Sequence, residues 1–376
     1  MKNNVFKVVL LQALPASGKS EVRNFMAHVE PERLQNEFHI GENLQLDDFP
    51  YVHMMRRIDE ELAKLDKPRV FYPGEAPFLD GRDWGTLCNL LNEDYHDLMN
   101  RNIAKPDSAA KLLFDRFDRA AAGAGIPNRL GVLDENTRNT IAERLEKEAR
   151  AMLDEKHAGY PESFENKTII IECARGGPDG AAMPLTGTFG YQYSLPMFCP
   201  EILEQAVILY IWVTPEESRR KNADRADPND PGSNLHHGVP MAVMLGDYGC
   251  DDMEYLIKTS EVENTVTVNA HGKTYHVPIG VFDNRVDKTS FLRGEPETWA
   301  ADKVADVTRA IRAATDNMFS HYNPIQAKAK ARHKPCLFAL YFYVTLIAAV
   351  GLVGNCHNHQ PKPHGGGKIV VAQGIS

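Results

Sequence analysis

The stretch that decides the fold runs Val5-Phe6-Lys7-Val8-Val9-Leu10-Leu11-Gln12-Ala13-Leu14-Pro15-Ala16-Ser17-Gly18-Lys19-Ser20. Its first seven residues are nearly all apolar and rich in β-branched side chains, as expected of a short strand buried on both faces of a parallel sheet. A turn carrying Pro15 and Gly18 ends the strand, and residues 20–28 read as a helix. A buried strand, a glycine turn and a helix in immediate succession open a parallel α/β unit.

Working outward, the same rhythm recurs. Strands are expected at 43–46, ending at Asp47-Asp48, and at 168–171, ending at Glu172. Two more are expected at 206–213 and at 277–282, the latter ending at Asp283-Asn284. With 5–11 they make a mostly parallel five-stranded sheet flanked by helices. Polar residues just past the C-terminal ends of strands lie where ligands bind in open α/β sheets. Residues 265–268 and 273–277, joined by Asn269-Ala270-His271-Gly272, read as a hairpin. Residues 82–102 and 136–156 carry apolar side chains at helical spacing. They belong to about 120 residues between the second and third strands, too many for a connection, so 73–160 is expected to be a helical insert over the site. A closing helix is expected at 296–320.

Composition sets the outer limits. With 43% hydrophobic and 25% charged residues, the chain is ordinary for a soluble globular protein. Its formal charge is −9, unevenly spread. Residues 328–376 hold six Lys or Arg and no acid, so 36 basic and 51 acidic residues, a formal −15, remain in 1–327. An acidic body excludes a large nucleic-acid footprint, which needs clustered positive charge, and leaves a small substrate. Six scattered cysteines without a CxxC pair fit a reducing, cytoplasmic compartment. The apolar run at 5–11 leads straight into the glycine turn, so no cleaved leader is expected there.

The turn itself carries chemistry. Ala13, Leu14, Pro15, Ala16, Ser17, Gly18, Lys19 and Ser20 supply a small residue, four variable ones and then Gly-Lys-Ser. Small residues let backbone N–H groups turn toward phosphate oxygens, and the following helix N-terminus favours anions. Lys19 is placed to reach the β- and γ-phosphates of ATP, and the Ser20 hydroxyl to hold Mg²⁺. The loop resembles that of small P-loop kinases: the nucleoside and nucleoside-monophosphate kinase group, polynucleotide kinase-like proteins and zeta-toxin-like kinases. Ala13 departs from the commoner glycine. The resemblance implies a P-loop NTPase fold and an ATP- and Mg²⁺-dependent phosphotransferase.

Further roles follow from that resemblance. Asp47-Asp48-Phe49 is similar to the Asp-Asp-Phe of uridine and pantothenate kinases. This implies that Asp48 or Asp47 takes the acceptor's proton, or that Asp47 helps hold the metal; a helix cap is the alternative. Glu172 occupies the place of a Walker-B-type carboxylate and is expected at the metal or its bound water, or else in a cap or salt bridge. Lys221-Asn222-Ala223-Asp224-Arg225 is similar to the Arg-Asn-x-x-Arg of several P-loop kinases. It implies a lid over 214–260 in which Arg220, Lys221 and Arg225 approach the phosphates, against the alternative of a solvated helix face. Thr214 and Glu217 form the expected capping box of that helix, and 227–233, rich in Pro and Asp, the lid tip. Asp283-Asn284-Arg285 is expected near adenine, and Arg175-Gly176-Gly177 as a flexible loop within reach of substrate.

The C-terminal end differs in kind. After the basic linker 328–335, residues 336–354 contain no charge over 19 residues, long enough for a hydrocarbon core of about 30 Å. They read as a membrane anchor with the enzyme on the cytoplasmic side, as a buried helix, or as a foreign terminal sequence, followed by a flexible tail at 355–376. The expected function is transfer of the ATP γ-phosphate to a hydroxyl of a small or nucleotide-like acceptor. The alternative is an ATPase or nucleotide-dependent switch acting on a protein partner.

Overall fold

A computed structural model describes residues 4–225 and 238–332, with side chains described for 4–224 and 238–322. Strand β1 is Val8–Gln12, and all five of its residues are buried. The period-two geometry of a strand divides them. Val8 and Leu10 enter one core, and Val9 and Leu11 enter another on the opposite face. This is why the sequence there shows no apolar–polar alternation.

Helices α1 (Lys19–Ala27) and α2 (Pro31–Phe38) lead to β2 (Glu42–Asp47). Next come α3 (Phe49–Ala63), α4 (Asp83–Asn100), α5 (Ala109–Gly123), α6 (Glu135–Ala158) and β3 (Lys167–Cys173). The short α7 (Gly190–Ser194) and α8 (Pro200–Leu203) precede β4 (Ala206–Trp212), followed by α9 (Pro215–Arg225), α10 (Met241–Gly246) and α11 (Met253–Thr259). Strands β5 (Thr265–Ala270) and β6 (Lys273–Asp283) lead, through a 3-10 turn at Pro296–Thr298, to α12 (Ala301–Arg332).

The sheet has six strands in the order β2-β3-β1-β4-β6-β5, parallel except for β5. The expected count of five is corrected. The expected second hairpin strand at 273–277 and the separate fifth strand at 277–282 are one 11-residue strand. Residues 273–278 pair antiparallel with β5, and 279–283 pair parallel with β4. Pro278 stands opposite Thr265 where the strand changes partner, and the first N–H after it, on Ile279, donates to the Asn264 carbonyl. A proline is tolerated at such a handover because no continuous ladder runs past it.

Helices α1, α2 and α12 cover the face that carries Val9 and Leu11. The insert is observed as α4, α5 and α6 packed on α3 in a core of their own, with Tyr51, Ile58, Leu87, Phe114, Phe117 and Leu145 buried. That core also takes in Leu14 of the glycine turn together with Val243 and Tyr248 beyond α9. The insert is therefore anchored against the loop rather than hanging from the sheet.

The expected anchor at 336–354, the tail at 355–376 and the lid tip at 227–233 lie outside the described residues. Among the described residues no helix is long and apolar enough to cross a membrane.

Candidate active site

The turn after β1 is held in a conformation most residues avoid. Ala16 has φ 54° and Gly18 φ 105°. A Cβ on Gly18 would stand 2.4 Å from Thr289 Oγ1 and 3.0 Å from Asn284 Nδ2, so both the angle and the space call for glycine. Helix α1 begins at Lys19 with Gly18 at its N-cap and no side-chain cap, leaving its first N–H groups to point out of the helix end. Two hydrogen bonds from later in the chain brace the turn, and a third ties their supports together. Ser218 Oγ donates to the Pro15 carbonyl at 2.7 Å, Asn284 Nδ2 donates to the Ser17 carbonyl at 2.7 Å, and Asn284 also reaches Thr289 Oγ1 at 3.0 Å. Lys19 Nζ donates to the Leu14 carbonyl at 3.5 Å across the turn and lies 4.0 Å from Glu172. The Ser17 hydroxyl is buried without a partner among the described residues.

The carboxylates gather opposite. Parallel pairing of β2 with β3 sets Asp47 beside Glu172, and β1 continues the same edge through the partners Leu11 and Gln12. Burial first, then the Glu172 and Asp48 charges, push the Asp47 carboxyl up to about 8. Its Oδ1 accepts the Phe49 N–H at 2.9 Å, so Asp47 also caps the start of α3. Burial raises Asp48 too, against the pull of Arg175, whose Nη1 donates to Asp48 Oδ2 at 2.6 Å. Glu172 accepts from Arg23 at 2.5 Å. Lys19, Arg23 and Arg175 therefore face Asp47, Asp48 and Glu172, a compact set that an incoming anion with its cation would rearrange.

All of these except Arg175 line one cleft of about 130 Å³, bounded by residues 15–20, Asp47, Asp48 and Glu172 at one end. Its other end is walled by α3, Trp84 of α4 and the segment after α9. A second hollow of about 410 Å³ shares Arg23 and Asp47 and runs along the free edge of β2 beneath α4, α5 and α6.

The structure sorts the expected residues. Residues 15–20, Asp47, Asp48 and Glu172 share the cleft, as expected from the strand ends. Ala13 and Leu14 are buried beneath it. Arg220 is not brought there. It lies on the solvent side of α9, held by Glu217 and Asp224 of its own helix. Lys221 is buried under the turn, with Nζ 2.6 Å from Asp287 and 3.5 Å from Thr289 Oγ1. In this structure neither side chain lies at the turn's phosphate-facing side: one points outward, and the other holds the turn's supports. The Arg225 side chain lies outside the described residues. Thr214 Oγ1 does accept the Glu217 N–H, at 3.2 Å, but the Glu217 carboxylate serves Arg220, so only half of the capping box forms.

Arg175 was expected on a flexible loop and is instead almost fully buried. It bonds Asp48, donates to Ser194 Oγ at 3.1 Å and lies 4.9 Å over the Trp84 ring. Asn284 supports the turn from below. Residue identity alone carried no signal for either role, because both depend on partners more than 100 residues away. Likewise unforeseen is the aromatic end of the cleft, lined by Tyr72, Phe78, Trp84 and Tyr248. Away from the cleft, His96, Cys199 and Glu201 bring potential ligand atoms within 4.8 Å of one another.

The turn fits a polyphosphate: its glycine is forced by close packing, its helix end is uncapped, and a buried hydroxyl within it lacks a partner. Oxygen donors from Ser20, Asp47 and Glu172 at the same end suit Mg²⁺, which prefers hard ligands. Comparison of the chain with protein-family models, with curated proteins and with solved structures returned no match.

Proposed function

We propose that the chain is a P-loop NTPase acting as an ATP- and Mg²⁺-dependent phosphotransferase toward a hydroxyl-bearing acceptor. The observation that carries this reading is one cleft containing both the uncapped glycine turn with Lys19 and the paired strand-end carboxylates, with an aromatic wall beside them. Lys19 and the first N–H groups of α1 hold the β- and γ-phosphates. Ser20, Asp47 and Glu172 hold Mg²⁺, which neutralises charge on the transferring group. Asp48 accepts the proton of the attacking hydroxyl, and Arg175 fixes its carboxylate from behind. A base with a raised pKa is better matched to that task near neutral pH. The helical insert walls the cleft and limits access of water, as transfer rather than hydrolysis requires.

The test is transfer of label from γ-labelled ATP across a panel of hydroxyl acceptors, with Lys19→Ala as control. Transfer is expected to fall about 10²-fold or more in the variant. Equal rates in the two proteins would sink the mechanism. Release of labelled phosphate with no labelled acceptor would favour the ATPase reading instead.

A further inference from the structure

The far end of the cleft has a character of its own. Tyr72 stacks on Phe78 with centroids 4.4 Å apart, Phe78 meets Trp84 edge-on at 4.9 Å, and Trp84 meets Tyr248 edge-on at 5.6 Å. Val52 and Val243 add apolar surface from α3 and from α10. Two charged side chains line this end. The Arg56 guanidinium lies 4.0 Å over the Tyr72 ring and donates to the Gly74 carbonyl at 3.3 Å. Asp247 is 4% exposed, and its Oδ2 is enclosed with no hydrogen-bond partner among the described residues.

An enclosed carboxylate oxygen without a donor is costly: burial pushes the Asp247 carboxyl up to about 7, and a ligand N–H would favour its charged form. Arg56 acts on this carboxylate through its charge but makes no hydrogen bond to Oδ2. The aromatic wall offers flat apolar surface, which favours a flat partner over a flexible polar one. We infer that this end of the cleft is an acceptor subsite for a planar nitrogen heterocycle, with Asp247 accepting from the ring's N–H edge. The word acceptor rests on the phosphotransferase reading; the ring-binding subsite does not.

Cytidine and guanosine, which carry amino edges, are titrated by calorimetry into the full chain in saturating ADP and Mg²⁺. Benzyl alcohol, a flat ring without N–H, and ribose, hydroxyls without a ring, serve as comparisons. At least one nucleoside is expected to bind ten-fold or more tightly than both comparison compounds. Asp247→Ala should lower that affinity about ten-fold while leaving benzyl alcohol unchanged. Asp247→Leu, which removes both acceptor oxygens and fills a similar volume, repeats the test should the alanine variant fold poorly. Ribose binding as well as the nucleosides, or nucleoside affinity unchanged in a folded Asp247 variant, overturns the subsite. Nucleoside binding that depends on Asp247 with no transfer of label from ATP keeps the subsite and sinks phosphotransfer. Transfer of label to ribose with no ring preference does the reverse.

Discussion

Two side chains show at the residue scale how the site is held. Arg175 and Asp48 form a buried ion pair in which each neutralises the other, and the arginine also touches Ser194, Cys88 and Trp84. Such a pair contributes little net stability, yet losing one member strands the other's charge. Arg175→Met is therefore expected to cost about 3–5 kcal/mol, read from the urea midpoint. Adding Asp48→Asn should recover part of that loss, because the stranded carboxylate is then gone. Additive losses in the double variant would show that the pair is not coupled. At this scale the sequence was informative about Asp48, which follows a strand end, and silent about Arg175. Burial of an arginine is decided by what packs around it, not by its neighbours in the chain.

Elements set the positions of those residues. The parallel register of β1, β2 and β3 brings Gln12, Asp47 and Glu172 to one edge, and this was legible because β1 and β3 are short apolar runs with a polar stop and Leu44 and Leu46 of β2 lead into Asp47. The join of β6 was not legible, because a run of strand-forming residues does not show that its two halves pair with different neighbours. Helix α12 closes on β6 so tightly that a Cβ at Gly280 would stand 2.2 Å from the Ala314 carbonyl oxygen. Gly280→Val is expected to destabilise the protein by about 3 kcal/mol, the upper end for overpacking, since backbone rather than a flexible side chain is in the way. Thermal unfolding checks this, and an unchanged midpoint would mean that α12 is not docked there. In the turn, Gly18→Ala should abolish ATP binding, measured by calorimetry, while circular dichroism stays native. Retained binding would show that the left-handed turn is not needed for the phosphates.

Two consequences belong to the whole molecule. Burial pushes Asp251, which accepts the Tyr210 hydroxyl at 2.9 Å, up to about 7. A carboxyl whose folded pKa is raised contributes stability that is complete below its unfolded value near 4 and is lost as pH rises through 7. Asp251→Asn is expected to flatten the fall in stability between about pH 4 and 7, measured by denaturant titration at several pH values. An unchanged slope would place the proton elsewhere. The second consequence is ligand linkage. ATP with Mg²⁺ at about 100 times its Kd should stabilise the chain by about 2.7 kcal/mol, and Lys19→Ala should lose most of that gain. A thermal shift identical in the two proteins would mean that the turn is not where the nucleotide binds.

By itself the sequence determined the strand, the glycine turn and the helix at its start, the mostly parallel character of the sheet though not its strand count, the helices between β2 and β3 and the row of strand-end carboxylates. All of these follow from local periodicity and from backbone rules that act over a few residues. Which charged side chains face the cleft was decided only by tertiary structure. Arg220 and Lys221 are neighbours in one basic stretch, yet one meets water and the other is buried against Asp287. The face each presents depends on how α9 packs against the turn after β1, through Ser218 on Pro15. The aromatic wall and the enclosed Asp247 likewise exist only because residues 52–84 and 239–248, far apart in the chain, close on one another around the same space.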